Sequence, residues 1–136
     1  MVNKPVYVAA SLLALLSVVA ITSSGNLSVF AQSPDVQVSI VPGASTLGEK
    51  AWSPNPVEVK VGQKIVWTNN DSVQHTVTAG SPGSPSGEFD SGLVKTATAP
   101  GLLNKGMTYE WTATTAGEIP YFCQLHPTQV GSVVVS

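Results

Sequence analysis

The residues best suited to chemistry in this chain are its one cysteine, Cys123, and its two histidines, His75 and His126. Cys123 and His126 are separated by two residues, and His75 comes 48 residues before the cysteine, just after a predicted turn. Two imidazoles and one thiolate form the trigonal ligand set of blue-copper electron-transfer sites, which usually add a weak axial ligand. These three residues therefore predict one copper site.

Each of the three residues also has an ordinary structural alternative. A lone cysteine in a strand is most often a small buried apolar residue, and a lone histidine is most often a surface residue. Those alternatives would place Cys123, His126 and His75 independently along the chain. Metal binding alone accounts for the Cys-x2-His spacing, the distant second histidine and a single cysteine that has no internal disulfide partner.

The segments around these residues resemble the plastocyanin/amicyanin-like cupredoxins over residues 36–136. The resemblance rests on Val57 to Gly62, Trp67-Thr68-Asn69 before His75-Thr76-Val77, Phe89-Asp90-Ser91-Gly92, and Tyr121 to Gly131 followed by a valine-rich last strand. It implies a Greek-key β-sandwich with copper at one pole, held by His75, Cys123 and His126 as equatorial ligands. It further implies a one-electron carrier with no enzyme activity, whose redox partner proteins dock near an exposed edge of His126.

Two positions depart from the family pattern. Amicyanin-like loops have a methionine three residues after the second histidine, where this chain has Gln129. By resemblance to stellacyanin-type sites, the Gln129 amide oxygen is predicted to be the axial ligand; the alternative is a solvated loop side chain beside three-coordinate copper. Many relatives also have an asparagine after the first histidine, and here Thr76 is expected to link the two ligand loops through its hydroxyl.

The sequence after residue 31 predicts an all-β domain. Apolar residues alternate with polar ones in several short runs separated by Gly, Pro and Asn turns, which is typical of a sandwich or barrel. One strand is predicted to end at Asn69-Asn70-Asp71. The Ser-, Pro- and Gly-rich segment Gly80 to Gly87 is predicted to be a loop, and Val94 to Gly106 an irregular excursion. The predicted cupredoxin domain spans residues 32–136 and is expected to be monomeric.

Residues 1–31 are predicted to direct export. Lys4 precedes an apolar run from Val6 to Ile21, and Val29-Phe30-Ala31 forms a small-residue cleavage signal. An uncleaved membrane anchor through residues 5–22 is the alternative, because the run is only slightly short of a full span. We therefore expect an extracellular, cell-surface or periplasm-like location.

The charge of the predicted domain excludes some functions. Residues 32–136 contain five lysines, no arginine and eight carboxylates, a formal net charge of −3. A weakly acidic domain without arginine is a poor binder of phosphates, so nucleic acid is not an expected partner. Alternatives left open are a copper enzyme of the red-copper type, a copper-delivery protein, and a surface module whose site is structural and holds zinc.

Overall fold

The computed structural model describes residues 32–136, and these form a sandwich of two β-sheets. The first sheet has the order β2-β1-β4-β7 and the second has the order β3-β9-β8-β5-β6. The strands are β1 (Val36–Ile40), β2 (Trp52–Ser53), β3 (Val57–Val59), β4 (Lys64–Asn69), β5 (Thr78–Ser81), β6 (Ser84–Asp90), β7 (Thr108–Thr112), β8 (Gly117–Phe122) and β9 (Val130–Val135). Two short 3-10 turns, Ala44–Thr46 and Gly48–Ala51, lie between β1 and β2. The predicted all-β sandwich is confirmed.

The core lies between the inner faces of the two sheets. Alternation along each strand sends every second side chain inward, where burying apolar surface stabilises the fold. Trp67 in β4 and Tyr121 in β8 are fully buried and meet edge to face, with ring centroids 5.7 Å apart. The strands that carry the site are therefore fixed on opposite sides of one packed aromatic cluster.

The segment Gly80 to Gly87 is not a loop, so that prediction was wrong. It forms most of a hairpin between β5 and β6, which turns at Pro82-Gly83. β6 is the edge strand of its sheet, and an edge strand tolerates proline because one side of its backbone needs no ladder hydrogen bond. Gly80 has a positive φ of 117° beside a register shift, and an added Cβ would lie 2.6 Å from the Ser86 nitrogen. The Pro and Gly content reflects an irregular edge hairpin.

The strand register brings the predicted ligands together. β5 and β8 are antiparallel, with Thr78 opposite Phe122. Continuing this pairing by two residues sets Thr76 opposite Gln124, so His75 reaches the pole where Cys123 leaves β8. The chain approaches His75 from β4 in the other sheet, and the site therefore depends on both layers of the sandwich.

The excursion from Val94 to Gly106 lacks regular strands, as predicted, but it is tied to the same pole. Leu103 is fully buried and forms an isolated antiparallel bridge with His75. The two residues exchange backbone hydrogen bonds of 3.2 Å and 2.9 Å. The excursion thus covers the buried histidine.

The predicted export segment, residues 1–31, lies outside the described residues. Within residues 32–136, no helix has the length and apolar character needed to cross a bilayer.

Candidate metal centre

Cys123 and His126 share the short loop that joins β8 to β9. The Cys123 N–H donates to the Gln129 carbonyl at 3.0 Å, which closes the base of the loop. Inside it, the His126 N–H donates to the Cys123 carbonyl at 3.2 Å and the Gln129 N–H donates to the His126 carbonyl at 2.8 Å. Such i to i+3 bonds are those of tight turns. Because of this turn, the Cys-x2-His spacing places the His126 imidazole beside the Cys123 side chain.

The structure brings the three predicted equatorial residues into one cluster. The Cys123 Sγ lies 3.5 Å from His126 Nδ1 and 3.8 Å from His75 Nδ1. All three ligand atoms lie within 4.8 Å of one another, a spacing at which one metal ion could contact all of them. Cys123 and His75 are buried, whereas His126 is only half-buried.

The surroundings of Cys123 favour its thiolate. Burial would raise the pKa of Cys123, but hydrogen bonds with His75, with the Thr76 N–H and with His126 outweigh burial and lower the pKa to about 6. The Thr76 N–H points at Sγ from 3.3 Å. Because a thiolate rather than a thiol binds metals, the polypeptide prepares this sulfur as a ligand.

His75 is held from its far side by Asp71, a residue that the sequence analysis placed only in the turn after β4. The His75 Nε2 lies 2.8 Å from Asp71 Oδ2, and both side chains are buried. Burial lowers the pKa of His75, but hydrogen bonds to Cys123 and Asp71 raise it above the ordinary value. The only sequence signal for this contact was a carboxylate four residues before a histidine, which in a loop does not predict proximity.

Comparison with known proteins identifies the family. Residues 42–136 match the model of copper binding proteins of the plastocyanin/azurin family. This chain is a member of that family. A soft thiolate with two imidazoles suits copper, the cofactor of the family.

Known plastocyanins and an amicyanin are among the sequence relatives. The chain is 32% identical over 101 residues to plastocyanin B of Populus nigra, which covers 73% of this chain and 59% of that protein. It is 34% identical to the plastocyanin of Mercurialis perennis over 65% of this chain and 91% of that protein. It is 30% identical to the amicyanin of Paracoccus versutus over 58% of this chain and 53% of that protein.

Solved structures agree with this family and its fold. A purple cupredoxin from Nitrosopumilus maritimus has a TM-score of 0.58 and 30% identity, with 75% of this chain and all of that chain covered. An amicyanin mutant in the reduced state has a TM-score of 0.51 and 29% identity, with 75% of this chain and 82% of that chain covered. The described β-sandwich is thus a cupredoxin fold.

Gln129 lies in the loop between β8 and β9, at the position where amicyanin-like loops have a methionine. Its side chain is fully buried, and neither Oε1 nor Nε2 has a hydrogen-bond partner among the described residues. Burying an amide without a partner costs about 1–3 kcal/mol, a cost that a metal ion bound by the amide oxygen would offset. The burial rules out a solvated glutamine and fits a group that binds copper.

Thr76 links the two ligand loops as expected. Its Oγ1 accepts a hydrogen bond from the Gln124 N–H at 2.8 Å, beside Cys123. The network extends outward, because Thr76 Oγ1 lies 3.1 Å from Thr78 Oγ1, which donates to Asp90 at 2.9 Å. The position of Cys123 relative to His75 is therefore fixed by side-chain as well as backbone contacts.

Proposed function

We propose that the protein is an exported one-electron carrier with a type 1 copper centre. His75, Cys123 and His126 would be the equatorial ligands and the Gln129 amide oxygen the axial ligand. The observation that carries the proposal is a buried cysteine sulfur between two imidazoles, one of which, His126, is partly open to solvent. Copper would supply the couple between Cu(I) and Cu(II).

The polypeptide supports electron transfer by keeping the ligand side chains in place. A hydrogen bond to the Asp71 carboxylate and the Leu103 bridge hold His75, and Thr76 holds the loop at Cys123. Side chains that are fixed before the electron arrives need little rearrangement when the charge of the centre changes. This arrangement suits a carrier that cycles between two oxidation states.

The exposed edge of the centre suits docking with redox partner proteins. Val73 and Leu125, which precede His75 and His126 in the chain, are each 42% exposed. Together with the small net charge of residues 32–136, these side chains favour a small apolar contact with little electrostatic steering. Export by residues 1–31, with residues 32–136 as the copper domain, places this contact outside the cytoplasm.

A second candidate is a copper enzyme with an open coordination position. It is favoured by the likeness to a solved cupredoxin that is described as purple. The buried amide of Gln129 argues for the carrier, because it would occupy the axial side of the centre and leave less room for a small ligand.

Visible absorption during copper titration, followed by added azide, separates the two candidates. The carrier predicts an intense thiolate-to-copper band that saturates at one copper per chain and is insensitive to azide. A band that shifts with azide would favour the enzyme. Absence of any thiolate-to-copper band would contradict both.

A further inference from the structure

We infer that Asp71 is a positioning residue that fixes the tautomer of His75 and biases the bound copper toward its oxidised state. The inference rests on the proposed function, since it takes His75 to be a copper ligand. Asp71 would not itself bind the metal: its carboxylate acts through the imidazole, on the ring nitrogen opposite Nδ1.

The contact between the two side chains determines which nitrogen of His75 carries the proton. Asp71 Oδ2 lies 2.8 Å from His75 Nε2, with side-chain exposures of 6% and 0%. A carboxylate can only accept, so Nε2 carries the hydrogen and donates it. The neutral ring then presents the Nδ1 lone pair toward Cys123, which is the tautomer that a metal ligand needs.

Asp71 is itself held rigidly. Its Oδ1 accepts hydrogen bonds from the Gly43 N–H at 3.0 Å and the Ser72 N–H at 2.8 Å. Its own N–H donates to Asn69 Oδ1 at 2.8 Å, and Asn69 Nδ2 donates to the Leu103 carbonyl at 2.8 Å. Asp71, Asn69 and Leu103 therefore close a ring of contacts around His75, and the carboxylate cannot swing away.

Among the described residues, no lysine pairs with Asp71 to neutralise its carboxylate charge. In the described part of the chain, the ion pair of Asp71 is with His75, while Lys64 pairs with Asp35 and Glu110. Electrostatic interactions are stronger in a buried, weakly polar environment than in water. A carboxylate behind a ligating histidine also raises the basicity of that ligand. Both effects stabilise Cu(II) more than Cu(I), because the oxidised centre carries one more positive charge.

His126 lacks a comparable partner. Within residues 32–136, its ring hydrogen bonds only through Nδ1, on the side of Cys123 Sγ. The bias toward Cu(II) is thus specific to the His75 side of the centre, and substitutions can test it there without touching the exposed ligand.

Three substitutions at Asp71 separate charge from packing. Asp71→Asn keeps the size and an oxygen acceptor but removes the charge, Asp71→Glu keeps the charge, and Asp71→Ala removes both. Glu58→Gln, at an exposed position on β3, is the control for a change in net charge. The reduction potential of each copper-loaded protein is measured, together with the nitrogen NMR shifts of His75 in the metal-free protein.

We expect Asp71→Asn to move the equilibrium between Cu(II) and Cu(I) at least tenfold toward Cu(I), a rise in potential of about 59 mV or more. Asp71→Glu should restore most of the wild-type potential, and Glu58→Gln should change the equilibrium less than twofold. In metal-free wild-type protein, at a pH where His75 is neutral, the ring should carry its hydrogen on Nε2, and in Asp71→Ala the two tautomers should mix.

Two results would overturn the inference. One is an unchanged potential in Asp71→Asn with copper bound; the other is a neutral His75 ring in the metal-free wild type whose hydrogen lies on Nδ1 rather than on Nε2. A wild type without a thiolate-to-copper band would contradict the proposed function instead, and the NMR result would still decide the role of Asp71. If Asp71→Ala does not fold, Asp71→Asn and Asp71→Glu carry the test.

Discussion

The two histidines of the centre are held in different ways. His75 is fully buried, bridged to Leu103 and hydrogen bonded to a carboxylate that is itself anchored. His126 lies in a loop of a few residues, is half-buried, and follows the exposed Leu125. The His75 side of the centre is thus held in a fixed geometry, and the His126 side is accessible from solvent. A carrier needs both, because its ligands must stay in place while an electron enters from a partner.

The Cys123 sulfur contacts both histidines, so its replacement has the largest expected effect. Cys123→Ser removes the only thiolate, and the visible copper band should disappear. The fold should remain, because the Cys123 N–H bond to Gln129 involves the backbone alone. Absorption and circular dichroism spectra of the copper-treated variant check both outcomes. A variant that keeps the visible band would show that the sulfur is not a ligand.

Replacing each histidine by glycine tests the difference in access. In His126→Gly the vacated space opens toward solvent, and added imidazole should restore the visible band. In His75→Gly the space lies under Leu103 beside the charge of Asp71, and restoration should need at least about tenfold more imidazole, equivalent to about 1.4 kcal/mol. Titrations followed at the band maximum give the comparison. Equal imidazole requirements would mean that the two sides are equally open.

Two leucines provide a matched pair for the packing difference. Leu103 is fully buried against His75, and Leu103→Ala should lower the free energy of unfolding by about 2–5 kcal/mol. Leu125 is 42% exposed, and Leu125→Ala should change the free energy of unfolding by no more than about 0.5 kcal/mol. Urea unfolding of the metal-free proteins measures both values. Similar losses for the two variants would contradict the proposed contrast.

Substitutions of Gln129 test whether its amide binds the copper. A thioether is softer than an amide oxygen and favours Cu(I), so Gln129→Met should raise the potential by on the order of 100 mV, about 2 kcal/mol, and leave the protein coloured. Gln129→Ala should also alter the potential and the electron paramagnetic resonance spectrum. If Gln129→Ala leaves both unchanged, the amide does not bind the copper.

The sequence predicted the features that depend on residue type and short spacing. Cys123, His126 and His75 were recognisable because cysteine and histidine are scarce in this chain, and the strands followed from alternation. The hairpin at Gly80 was missed because an edge strand accepts Pro and Gly, which elsewhere break strands. Asp71 and Leu103 were missed because their contacts with His75 arise from tertiary folding of irregular segments. The burial of Gln129 depends on the same folding, and its role as an axial ligand stays a prediction.

Voltammetry of the copper-loaded protein tests most directly the claim that a fixed centre exchanges electrons through an accessible edge. A fixed centre should give one reversible one-electron wave with one copper per chain, at a potential that stays the same over repeated cycles. An irreversible wave, or a loss of copper on reduction, would show that the ligands rearrange between oxidation states and would contradict the account.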